Sequence, residues 1–429
     1  MKRTDYQQAF NAWDKTSEAM QRAIGDWFSL YYGAAGQDRN LRIAYSVVNK
    51  LTKTVFSEYT TGCQSPFYSR VLDALNDRCR EAMQLALVGG ECYIKPYPQG
   101  QGFRFSLIPR DQILVFSRDA DGRPTDVGTA EKSTWGRFYY TLLERRSLDS
   151  TGRLTIENRL FRSLGRDTLG SPVALSDHPA YRELPVRYTY PEPLGGIGLV
   201  QLRTPMVNAV DGSREGVSVY APAVELIRSI DRNEALLAGE FERGQSRVLV
   251  SRDLLDRDGD LTENLFVGLD GDPEELGVQI FAPQLREQSY LRRKQAILRD
   301  LETVMGLKRG MLSDVNSLQR TATEVSDSQG EYSLTVMDFQ NMWADALRQV
   351  LSLCEKLAAA YGMEAGETMQ VTVDWGNGVL YDQDALWLDY KDMVAKGLIA
   401  PEVALGWRFG MAADTDADRT AIRRKYMPG

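Results

Sequence analysis

The chain contains one histidine, His178, set in Ser176-Asp177-His178-Pro179. Any Ser-His-Asp relay, Cys-His pair or multi-histidine metal site would have to be built around that residue alone. Cys63, Cys79, Cys92 and Cys354 show no Cys-x-x-Cys spacing, and three of them stand among apolar residues of expected helices or strands, where a thiol reads as packing. Asp256-Arg257-Asp258-Gly259-Asp260 opens like a calcium loop, with carboxylates at its first, third and fifth positions. Its glycine comes too early, and Val267 stands where a bidentate glutamate is required, so the stretch reads as an acidic turn on an exposed module, suited to docking. Leu194-Gly195-Gly196-Ile197-Gly198 fits neither phosphate-cradling pattern and reads as a flexible loop. The expectation is a chain that is not an enzyme and takes no cofactor or metal. What remains is sequence-independent electrostatics, and its clearest seat is Lys308-Arg309, side by side in a polar, glycine-bearing stretch from Gly306 to Arg320.

Two helices must hold that stretch. Before it, Gln284 to Met305 carries Leu291, Ile297, Leu298, Leu301 and Met305 among dense mixed charge, including Arg292, Arg293 and Lys294. After it, Thr321 and Glu324 have capping-box spacing. Tyr332, Val336, Phe339, Trp343, Leu347, Val350, Cys354, Leu357 and Tyr361 then recur at steps of three and four up to Gly362. A helix from Thr321 to Ala360 would be on the order of 60 Å long and must pack along something extended.

Upstream, apolar stripes predict helices between Asp5 and Tyr32 (Phe10, Trp13, Met20, Ile24, Trp27, Leu30), from Leu41 to Glu58, and from Phe67 to Val88. After Gly90 the period becomes alternating. Strands around Cys92, Phe103, Ile113, Phe138 and Leu154 are separated by short turns, which implies an antiparallel meander or barrel-like sheet. One further strand is expected at Val186 to Tyr190. Tyr220 to Arg243 reads as a helix with Pro222 in its first turn. A compact insert follows, with strands at Arg247 to Val250 and near Val278 to Phe281. Beyond Gly362 a strand at Met369 to Val373 precedes helices at Asp384 to Lys396, Pro401 to Phe409 and Asp414 to Lys425.

With 429 residues, 43% hydrophobic and 26% charged, the chain has room for two or three domain-sized units and an ordinary core. No stretch has the run of apolar residues expected of a membrane span or signal peptide. A net charge of −8 argues against a protein whose task is to grip nucleic acid, but not against a wall past which DNA slides.

The order of charged helix, Gly-Leu, polar loop and Thr321-Ala322-Thr323-Glu324-Val325 opening a long helix resembles the portal proteins of tailed bacteriophages. Gly90 to Tyr97, Thr155 to Phe161, Gly216 to Tyr220 leading into Leu226 to Asp231, and the ending Asp382 to Arg408 agree in order. The resemblance implies an α+β portal fold. Residues 1–219 would be N-terminal helices and an antiparallel β wing, and 220–244 and 283–306 paired stem helices bracketing a small α/β clip at 245–282. A tunnel loop at 307–320, a long kinked wing helix at 321–362 and a C-terminal wing with a reduced crown at 363–429 would complete it. It further implies a closed ring, expected to be a dodecamer, in the virion at one capsid vertex, assembled in the host cytoplasm. That ring would pass double-stranded DNA during packaging and ejection and dock terminase, major capsid and scaffold proteins, and neck or adaptor proteins. Tunnel-loop residues Lys308, Arg309, Ser313, Asn316, Gln319 and Arg320 would lie nearest DNA. Arg247, Arg252, Asp256, Asp258 and Asp260 would serve clip docking, and Arg228, Arg232, Arg292, Arg293 and Lys294 the stem. Two rivals stand beside this reading: a capsid or scaffold protein that forms no ring, and a metal-dependent nuclease built on acidic clusters.

Overall fold

The computed structural model describes residues 3–33, 41–243, 247–251, 266–269, 279–281, 285–314, 322–365, 371–376, 383–409 and 411–427. The chain opens with helices α1 (Arg3–Phe10), α2 (Glu18–Tyr32) and α3 (Ile43–Val55), strand β1 (Thr60–Cys63), and helix α4 (Pro66–Gly89). Ser17 starts α2 by accepting the Met20 N–H, an N-cap bond that satisfies an orphan amide. Met20, Ile24 and Trp27 are buried as their spacing predicts, but Trp13 falls in the link between α1 and α2 and is 69% exposed. Gly90 ends α4 at φ +79°. A side chain there would strike the backbone of Gly216 and Val217 at 2.3–2.5 Å, so glycine is required by both conformation and space.

Extended segments broken by turn residues then give strands β2 (Glu91–Gln99), β3 (Gly102–Pro109), β4 (Ile113–Arg118), β5 (Pro124–Trp135), β6 (Phe138–Leu148), β7 (Leu154–Ser163), β8 (Ser171–Val173), β9 (Arg187–Thr189) and β10 (Val200–Arg203). Two turns share one device. Asp119 and Asp149 each accept the N–H groups two and four residues on, and Gly122 and Gly152 supply the left-handed step. The expected single meander is two sheets. One has the order β4-β5-β6-β7-β8 with β9 also on β7, and the other is β10-β2-β3; every pairing in them is antiparallel. β10 lies just past the glycine-rich stretch read as flexible. That stretch is packed: Leu194 and Ile197 are buried, and Arg146 donates to the carbonyls of Ile197 and Gly198.

Helix α5 (Val224–Arg243) follows a 3-10 turn at Ala221–Ala223, which accommodates Pro222. Strands β11 (Arg247–Ser251), β12 (Phe266–Leu269) and β13 (Gln279–Phe281) form a small sheet in the order β12-β11-β13, with β12 parallel and β13 antiparallel to β11. Helix α6 (Glu287–Val304) and helix α7 (Ala322–Ala360) come next, then β14 (Val371–Asp374), which pairs antiparallel with β1. Helices α8 (Gln383–Ala395), α9 (Pro401–Phe409) and α10 (Asp416–Tyr426) end the described chain, and Thr415 with Asp418 forms a capping box at α10.

The main core gathers α2, α3 and α4, the inner faces of β2 and β10, the roots of α5 and α6, and the stripe of α7 from Tyr332 to Leu357. Tyr361, the last member of the expected stripe, is 47% exposed and bonds Tyr190 through its hydroxyl. Cys79, Cys92 and Cys354 are buried, and burial pushes the Cys79 thiol up to about 11. His178 is also buried, stacked on Tyr181 at 4.6 Å, with its Nδ1 accepting the Ala180 N–H. Between the two sheets lies a buried ionic cluster. The Arg110 guanidinium is fully enclosed and donates to Glu215 Oε2 (2.8 Å) and Thr16 Oγ1 (2.7 Å). Its Nε stands 3.4 Å from Glu91 Oε2, an electrostatic contact without hydrogen-bond alignment.

Candidate functional site

Helices α5 and α6 are antiparallel partners. Arg286 makes a two-pronged pair with Glu240 (2.9 and 3.0 Å), Lys294 meets Glu234 at 3.1 Å, and Asn233 Nδ2 donates to the Tyr290 carbonyl at 3.1 Å. Their apolar residues divide by position. At the root Ala223, Ile227, Ile230, Ile297, Leu298 and Leu301 are buried, whereas toward the far end Leu236, Phe241, Leu285 and Leu291 are more than a third exposed. The root is fixed by Tyr220, wholly buried, whose hydroxyl donates to the Trp27 carbonyl at 2.7 Å. The small β11–β13 sheet follows α5 and precedes α6 in the chain, at the far end of the pair.

Two of the five basic residues expected on these helices are committed within the fold. Arg228 pairs with Asp26 (2.9 Å) and Glu225 (2.7 Å), and Lys294 faces α5. Arg232, Arg292 and Arg293 are exposed, and among the described residues they form no ion pair.

Past α6 the chain turns sharply. Gly306 and Gly310 adopt φ of +60° and +87°, the Leu307 N–H returns to the Glu302 carbonyl (2.8 Å), and the Leu307 side chain is buried. The Met311 N–H closes a tighter turn onto the Lys308 carbonyl at 3.0 Å. Lys308 and Arg309 stand exposed on this turn, and Arg309 Nη1 donates to the Arg299 carbonyl at 3.0 Å. Beneath them lies Glu302, 1% exposed. Its Oε1 accepts the N–H groups of Gly310 (3.0 Å), Leu312 (2.6 Å) and Ser313 (2.8 Å), and its Oε2 accepts the Ser313 hydroxyl (2.8 Å). Burial pushes the Glu302 carboxyl up, but these bonds from Ser313, Leu312 and Gly310 outweigh it and hold the group below the usual carboxylate range. Gln295 and Asp314 bond each other reciprocally at 2.8 Å, and Lys50 of α3 donates to the Met311 carbonyl.

The sequence-predicted residues therefore separate. Lys308 and Arg309 share one exposed turn. Ser313, expected to face DNA, is corrected: it is 6% exposed, and its hydroxyl and amide are both bound to Glu302, so it holds the turn from inside. Asn316, Gln319, Arg320 and the capping pair Thr321 and Glu324 lie outside the described residues or side chains, as do Arg252, Asp256, Asp258 and Asp260. Arg247 sits on β11, in register with Phe281. Glu302 was missed by sequence reasoning, which saw it only as surface charge. Its position gives the signal, because it stands four residues after Leu298 and three before Met305, on the stripe that α6 buries. Among the described residues no group of three or more His, Cys, Asp or Glu side chains is placed to hold a metal ion.

No protein-family profile and no curated protein matches the chain. Among solved structures, a chain described as from the neck of a native GTA particle computed with C12 symmetry is similar, with a TM-score of 0.50 at 13% identity over 91% of this chain and 93% of that one. A chain from the neck of an empty GTA particle computed with C6 symmetry gives a TM-score of 0.46 at 11% identity, over 89% and 92%. At 13% identity what the first of these shares with this chain is its fold, over nearly the full length of both.

Proposed function

We propose that this chain is the portal subunit of a tailed phage or phage-like particle, a ring-forming structural protein that gives DNA its passage at one capsid vertex. The observation that carries the reading is the antiparallel α5/α6 pair. It rises from the main core, brackets a small sheet, and leads through a fixed basic turn into the 39-residue helix α7. The full-length fold likeness to a neck chain from a particle computed with C12 symmetry supports it. In this reading α5 and α6 are the stem, the β11–β13 sheet is the clip that receives terminase and later neck or adaptor proteins, and the 307–320 segment lines the channel. Residues 1–219 and the C-terminal helices make the wing, which meets capsid and scaffold proteins.

A ring needs heterologous interfaces whose rotation closes. The exposed Leu236, Phe241, Leu285 and Leu291 on the stem, with Leu334 and Met337 on α7, are apolar surface that ring neighbours would cover. DNA would meet Lys308 and Arg309 through sequence-independent phosphate contact, and the acidic balance of the chain, net −8, opposes a tight grip, so the duplex slides. The protein supplies no energy in this scheme; a separate terminase motor does.

Negative-stain imaging and native mass of the purified protein test the ring. Closed rings with an axial hole are expected, and a lone monomer discards the proposal. The variant Lys308→Gln/Arg309→Gln is expected to form rings and to alter packaging or DNA retention. Normal packaged length and retention in that variant would remove the turn from the mechanism.

A further inference from the structure

A glycine-bearing connector between two helices ordinarily samples many backbone states, because few of its polar groups are tied to the scaffold. Residues 310–314, just past α6, are tied at every level. One enclosed carboxylate gathers three amides and a hydroxyl, Gln295 and Asp314 brace the next residue, and Lys50 reaches from α3 to the Met311 carbonyl. All of these bonds fall on residues 310–314, so the turn is gripped on the side next to Lys308 and Arg309. The grip is asymmetric in its chemistry: the amides of Gly310, Leu312 and Ser313 converge on a single oxygen, Glu302 Oε1, and no neutral side chain of similar shape presents an equally strong acceptor.

We propose that Glu302 is the positioning residue of this turn, with Ser313 as its counterpart, and that it clamps residues 308–314 onto α6 so that the Lys308–Arg309 pair is presented at one fixed place. The consequence for DNA rests on the portal reading; the clamp itself does not. A fixed turn meets a passing duplex with the same two charges at the same radius in every subunit, whereas a loose one would present them over a range of positions. Arg309 contributes to its own placement through the Arg299 carbonyl, which leaves Lys308 as the projecting cation.

Hydrogen–deuterium exchange of the purified full chain tests the clamp without DNA, and in ring or monomer alike. Glu302→Ala removes all four bonds, Glu302→Gln keeps an acceptor oxygen for the amides but loses the charge, and Ser313→Ala removes one bond. Exchange in the peptide carrying residues 308–314 is expected to accelerate by at least about tenfold in Glu302→Ala, and less in Glu302→Gln and Ser313→Ala, from the strength of hydrogen bonds to charged groups. Peptides from α4 and α7 should keep their wild-type protection. Wild-type exchange at 308–314 in Glu302→Gln and Ser313→Ala overturns the proposal even where Glu302→Ala fails to fold. So does acceleration spread evenly over the chain, which is the mark of a residue that merely stabilises the whole. Faster exchange confined to 308–314 in a protein that forms no rings supports the clamp and counts against the portal reading alone.

Discussion

Replacing Arg110 with methionine takes a shared cation from two carboxylates between the sheets and strands one of them, Glu91. In the native chain Glu91 is fully enclosed and accepts the Gly216 N–H and the Tyr93 hydroxyl, both at 2.8 Å, while Glu215 faces Arg110 and, at 3.0 Å, Arg118. Methionine keeps the apolar stem of the lost side chain but not its guanidinium, so the cost combines the lost charge and its hydrogen bonds to Thr16 and Glu215 with a small void. Arg118 still serves Glu215, and Glu91 loses the cation in contact with it. Breaking a buried pair by removing one partner costs about 3–5 kcal/mol, and that range is expected here. Urea unfolding followed by tryptophan fluorescence should show the midpoint falling by on the order of 1 M. The variant's deficit should also shrink in mild acid. With Arg110 present Glu91 is held below the usual carboxylate range against its burial; without it burial dominates, the folded-state pKa rises above the unfolded one, and protonation favours the fold. Adding Glu91→Gln should recover part of the loss at neutral pH. A single-variant cost below about 1 kcal/mol, or no recovery in the double variant, would refute the reasoning that the charge is what matters.

Two further outcomes follow from the packing of the same region. Gly90→Ala places a Cβ 2.3 Å from the Gly216 backbone at φ +79°, so it should cost more than about 4 kcal/mol or abolish soluble expression. Gly100→Ala, at φ +59° in open space, should cost about 1 kcal/mol, and equal unfolding midpoints for the two would contradict the close-approach argument. Burial pushes the Glu144 carboxyl up, but Arg146 and Lys95, each at 2.7 Å, outweigh it and hold it lowered from 4.5 to about 2. Its stabilisation is therefore full above pH 4.5 and is lost as pH falls toward 2. Glu144→Gln should flatten the fall of the urea midpoint across that window, and an unchanged slope there would show that other carboxylates govern acid unfolding.

Helices were legible wherever a one-sided stripe met punctuation. Ile43, Val47, Leu51 and Val55 mark α3, and the buried residues from Tyr332 to Leu357 mark α7. Proline and glycine mark the ends of α4. Strands β2, β3, β4, β6 and β7 were legible from alternation and turn residues, with Asp-x-x-Gly turns before β5 and β7; β5, the longest at 12 residues, was not, because Val127 is its one buried large apolar residue and alternation fails along it. What failed was long-range pairing: β1 is four residues of Thr-Thr-Gly-Cys whose partner β14 lies some three hundred positions away, and β10 is a short edge onto β2. Neither carries enough local pattern to reveal itself. Trp13 failed because periodicity was carried across a break that Asn11, at φ +52°, imposes. At the candidate site the exposed basic pair was visible as composition, whereas the clamp beneath it was hidden because Glu302 looks like one more charge in a charged helix.

Helix α7 gives the turn a mechanical backing. Its 39 residues span about 58 Å at the usual rise. About a third of the way along it, Thr335 bonds the Gly306 carbonyl and Tyr332 bonds Thr54 of α3, and further along Trp343 bonds Tyr59. A load applied at Lys308 is thus handed to a stiff strut embedded in the main core, and the thrust is spread over many side chains from Val336 to Leu357 instead of being borne by a short covalent link.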